Sequence, residues 1–139
     1  MNHPQFAILQ CFFSASPLPQ HQELSSGLQS FVPGEPIVRE GKLATHLHLI
    51  CRGRVQVVKQ RPDGQPSRTT ILSKGSSLGL PAVLANSSYT ATALALTPVQ
   101  TYPVAQPVLR EFLETHPQYY QYLAQQLART LLQYEKIMG

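Results

Sequence analysis

The feature that most constrains this chain is residues 74–93, KGSSLGLPAVLANSSYTATA. Gly75 and Gly79 stand four apart, just after the strand-like run 68–73, and a short apolar segment, 80–85, follows them. A polar turn over 86–88 gives way to renewed alternation from Tyr89 through TATALAL. The order is strand, glycine turn, one turn of helix, polar loop, strand. A helix start offers N–H groups with no intrahelical partner and a partial positive charge, so it can cradle an anion. The candidate ligand-binding residues are therefore Gly79, Leu80, Pro81 and Ala82, the hydroxyls of Ser87, Ser88, Thr90 and Thr92, and Tyr89. Tyr89 adds a ring face for stacking and one hydroxyl. The same bulk can instead close the space, with Leu80, Val83, Leu84 and Tyr89 serving as extra core.

Around that stretch the chain is punctuated every eight to twelve residues. Twelve prolines and eight glycines in 139 residues argue for one domain built from many short strands. FVPGEPIV has strand character on both sides of Pro33-Gly34, and a second turn falls at Gly41. Residues 46–50 alternate, Gly53 interrupts, and 55–58 continues as a strand. Asp63-Gly64 between two strand-like runs is a hairpin signal. Strands follow at 68–72 and 90–96, and 99–102 is bracketed by Pro98 and Pro103. This pattern predicts a mainly β domain, an antiparallel β-roll or jelly-roll barrel over 31–105. Residues 1–30 are expected to pack on it: 6–13 is an apolar run compatible with helix or strand, and 20–28 is compatible with a short helix.

From Pro107 the period becomes helical, giving a short helix over 108–115 and a long one over 118–138. On the long helix Tyr120, Ala124, Leu127, Leu131, Tyr134 and Met138 are spaced alternately four and three apart, the seam of a coiled coil. Leu123, Ala128 and Leu132 broaden the stripe, so one flank can cover the barrel and the other a second copy. A homodimer through this helix is expected.

Composition excludes several classes. The apolar runs are too short for a spanning helix, and the apolar patch near the N-terminus lacks a basic flank. Two distant cysteines, Cys11 and Cys51, with no CxxC, point to reduced thiols and a cytoplasmic protein. The net charge of +4 comes from scattered residues rather than a stripe, so nucleic-acid binding is not implied. His46-Leu47-His48 places two imidazoles on one strand face, the start of a cupin-type metal site. No carboxylate follows in LICRGR, and His116 belongs to the helical end, so a metal is not expected and both histidines are read as exposed. Cys51 is expected to pack, and His21 with Glu23 lacks a nucleophile elbow, so no enzyme is expected.

Taken in order, PGEPIVREG, HLHLICRGRVQVV, LSKGSSLGL, YTATALAL and the two terminal helices resemble the cyclic-nucleotide-binding domain. The likeness is greatest to sensor domains of catabolite-activator (Crp/Fnr) type regulators, with glycines 34, 41, 53, 75 and 79 at the turns of that β-roll. The resemblance implies that 74–93 is a phosphate-binding cassette. In members that bind cyclic AMP or GMP, a glutamate after the helix-start glycine holds the ribose hydroxyl, and an arginine before the next strand pairs with the phosphate. Here Gly79 matches, but Leu80 stands at the glutamate position and Tyr89, or Ser88 with a loop one residue shorter, at the arginine position. An arginine–phosphate contact contributes roughly 1.5–3 kcal/mol, and losing it with the carboxylate costs about a hundredfold or more in affinity. No cofactor and no tight cyclic-nucleotide binding is expected; a weakly held anionic or polar ligand remains compatible.

The implied function is a regulatory or sensory module in signal transduction or transcription regulation. The alternatives are a cupin-like metal-binding protein and a ligand-free structural or interaction domain. In the resembled regulators a winged helix-turn-helix follows the long helix. The residues up to Gly139 carry no recognition helix, so direct DNA reading is not expected of them.

Overall fold

The structure, a computed structural model, describes residues 5–14 and 27–138, the side chains of 66–68, 130 and 133–138 excepted. Eight strands form two four-stranded antiparallel sheets: β1 Gln29–Phe31, β2 Pro36–Val38, β3 His46–Arg52, β4 Val55–Gln60, β5 Pro66–Leu72, β6 Ser77–Leu78, β7 Thr92–Ala95 and β8 Val99–Ala105. One sheet runs β1-β8-β3-β6 and the other β2-β7-β4-β5. The helices among the described residues are α1 Phe6–Phe13, α2 Leu80–Leu84, α3 Gln106–Thr115 and α4 Gln118–Met138. The expected mainly β roll with a short internal helix and two terminal helices is what the chain forms. None of the described helices is long and apolar enough to cross a membrane.

The Asp63-Gly64 signal makes the β4–β5 hairpin, where the Asp63 carboxylate accepts from Gln65 N–H at 3.0 Å. Strand β3 departs from the expected alternation. Leu47, His48, Leu49 and Ile50 are all buried, because α3 covers the side of β3 and β8 that the roll interior does not. His48 is therefore not an exposed face residue: it is 7% exposed and its Nδ1 shares a hydrogen bond of 2.9 Å with the buried Thr101 hydroxyl. His46 is exposed, as expected. Strand β8 runs through Pro103 instead of stopping before it. Its pairing with β1 ends at Thr101, so the missing Pro103 N–H falls where only β3 is a neighbour.

The apolar run 6–13 is helical, burying Phe6, Ile8, Leu9 and Phe13. Phe13 stacks on Phe112 of α3 and on Tyr119 of α4, with ring centroids 5.8 and 5.6 Å apart. The region 20–28 lies mostly outside the described residues. On α4, Leu123 is buried against the domain while Tyr120, Ala124, Leu127 and Leu131 are exposed on the single chain. The side chains of Tyr134 and Met138 lie outside the described residues.

Candidate ligand-binding site

Gly79 closes β6 and caps α2 with φ +88°, a left-handed conformation that glycine adopts without strain. A Cβ there would lie 2.6 Å from the Tyr89 ring, so the glycine lets the ring lie directly on the turn. Tyr89 is 8% exposed, and its hydroxyl is engaged twice with His46: it donates to the carbonyl at 2.6 Å and accepts from the N–H at 3.4 Å. Burial pushes the phenol pKa up, and the bond donated by the His46 N–H opposes that rise. The loop after α2 is fastened to the β2–β3 connection by backbone bonds, Tyr89 N–H to Lys42 O, Gly41 N–H to Tyr89 O, and Ala44 N–H to Ser87 O, each 2.9 Å.

These elements enclose a cavity of ≈ 160 Å³. Five of the candidate residues, Gly79, Pro81, Ala82, Tyr89 and Thr90, line it together. Leu80 does not: it is half-buried and packs against the core. Ser87 is exposed, Ser88 bridges to Leu43, and the Thr92 hydroxyl accepts from Glu40 N–H at 3.0 Å, so none of the three faces the cavity. The remaining wall is Val38, Val57, Leu72, Ser77, Leu78, Ala91 and Ala93. Ser77, Leu78, Ala91 and Ala93 belong to the stretch singled out in the sequence, but β2, β4 and β5 contribute through sheet register, which sequence spacing does not report. Among the described residues no charged side chain lines the cavity. Lys74 lies near Cys51, whose thiol burial pushes up against the lysine's influence, and Arg110 lies on α3.

The strand–glycine–helix–loop–strand unit thus forms a pocket between the sheets, with α2 at its edge. The profile of the cyclic nucleotide-binding domain matches residues 28–116, well over half of the chain. The chain belongs to the cyclic nucleotide-binding domain family. Its domain superposes on the catabolite activator protein of Thermus thermophilus with a TM-score of 0.74 and 24% identity, over 89% of this chain and 60% of that one. The sensor domain of the transcriptional regulator DNR from Pseudomonas aeruginosa gives a TM-score of 0.73 and 22% identity, over 94% and 89% of the two chains. The potassium channel GORK of Arabidopsis thaliana is 31% identical over 58 residues, 42% of this chain and 7% of the channel. Among the described residues, no three His, Cys, Asp or Glu side chains converge as metal ligands.

Proposed function

We propose that this cyclic nucleotide-binding domain is a non-enzymatic regulatory module of the Crp/Fnr type whose cassette holds cyclic nucleotides weakly or not at all. The observation that carries this reading is the uncharged cavity wall. Leu80 replaces the glutamate that the family resemblance implies and turns into the core, and Tyr89 spends its hydroxyl on His46. A cyclic phosphate placed there would lose water without meeting a cation. The cavity is also below the roughly 300–1,000 Å³ usual for small-molecule sites. Output would run through the helices. Gln106 of α3 donates to Val83 O of α2 at 3.1 Å and to Asn86, so a shift of the cassette helix reaches α3 directly. A homodimer on the α4 seam would then report the cassette state to a partner or a further domain.

Titration calorimetry with cyclic AMP and then cyclic GMP tests this reading. The expected result is no heat, or binding only at millimolar ligand. Micromolar binding of either nucleotide would overturn it.

A further inference from the structure

We propose that a second cavity, between α2, α3 and α4, binds a single-chain carboxylate with an apolar body. This cavity borders the cassette helix but shares no lining residue with the cassette pocket, and the inference does not depend on what that pocket binds. The cavity measures ≈ 330 Å³, about twice the cassette pocket. That places it within the roughly 300–1,000 Å³ of ordinary small-molecule sites, which are mostly apolar with a few convergent polar groups. Leu84, Leu109, Leu113, Leu123 and Leu127 make the apolar wall, and Gln106 and Arg110 supply the polar groups.

The polar end selects the sign of the head group. Arg110 donates to Asn86 Oδ1 at 3.3 Å, and the Gln106 amide donates to the same oxygen. Asn86 itself has φ +54°, so the loop presents that oxygen from a left-handed residue. Two donors thus converge on one neutral acceptor, and among the described residues no carboxylate lies within ion-pair distance of Arg110. A ligand carboxylate taking the place of the amide oxygen would turn a contact with a charge on the donor alone into an ion pair, with charge on both partners. Its tail would lie along Leu84, Leu109 and Leu113. A cationic amphiphile would fit the same wall but meet the guanidinium at its head.

The test is calorimetric titration of the full chain with decanoate below its micelle concentration, with decyltrimethylammonium as the opposite-charge control. Decanoate should bind at least about tenfold more tightly than the cation, and Arg110→Gln should remove roughly that tenfold preference. Arg110 is exposed, so this variant tests the head-group contact without disturbing the core. Ala124→Phe, which fills the cavity from a helix position that also lies on the α4 seam, should abolish decanoate binding while leaving the circular dichroism melt cooperative and the sedimentation coefficient that of the native chain. No decanoate binding, equal binding of the two charges, or undiminished binding to Ala124→Phe would each overturn the proposal.

Discussion

His48 is held neutral by its surroundings. Burial, and secondarily the charge of His46, lower its pKa from the ordinary 6.5 to about 4. Between those two pH values the unfolded chain takes up a proton that the folded chain refuses, so stability is complete above the window and falls as pH drops through it. The loss should reach on the order of 3 kcal/mol by the lower end. Urea denaturation at pH 7 and pH 4.5 should show a larger fall for the native protein than for His48→Gln, which can keep a bond to Thr101 but does not titrate. Equal falls would mean that His48 is not what senses acid. Gly79 makes a second residue-scale case. Its φ of +88° and the Tyr89 ring 2.6 Å from a would-be Cβ add steric strain to backbone strain, whereas Gly34 has φ +89° and open space. Gly79→Ala should therefore cost about 1–3 kcal/mol and Gly34→Ala distinctly less, read as denaturation midpoints. Equal costs would show that the ring yields freely.

At the scale of elements, what the sequence made legible was what local chemistry decides. Asp63-Gly64 specified a hairpin, and the change of period after Pro107 specified α3 and α4. Gly75 and Gly79 marked the turns around α2. Strand β3 was misread because alternation assumes one wet face, and α3 dries the outer one. The run 6–13 stayed ambiguous because a continuous apolar segment has no period to separate helix from strand. Its structural role lies in contacts with residues a hundred positions away. Phe6 meets Phe112 edge-on at 5.3 Å, and Phe13 is 2% exposed between Phe112 and Tyr119. Helix α1 is thus a wedge under the α3–α4 junction rather than a loose leader. Phe13→Ala should lower unfolding free energy by about 3–5 kcal/mol, the cost of a buried phenylalanine cavity. A loss under about 1 kcal/mol in chemical denaturation would show that α1 contributes little to the core.

For the molecule as a whole, the cassette could be located from sequence but its pocket could not be drawn. The wall needs Val38, Val57 and Leu72, which only the register of three separate strands brings opposite Gly79 and Tyr89. The α4 seam is the converse case. Its spacing was legible, and the structure shows which flank the domain itself uses: Leu123 turns inward, while Leu127 and Leu131 are 42% and 62% exposed. An α4 of 21 residues is about 30 Å long, enough to carry such a row of apolar side chains along much of the domain. Leaving that row in water is unfavourable, and a second copy offers the same row in return, as a two-fold interface requires. Sedimentation velocity should find the native chain as a dimer, and the double variant Leu127→Glu, Leu131→Glu as a monomer. Four glutamates facing one another across the seam would repel and would lose water without a cation to meet. Both positions are exposed within the single chain, so the fold itself should survive, and a melt checks that. A variant that stays dimeric would move the interface off α4, and with it the route by which α2 and α3 would signal to a partner.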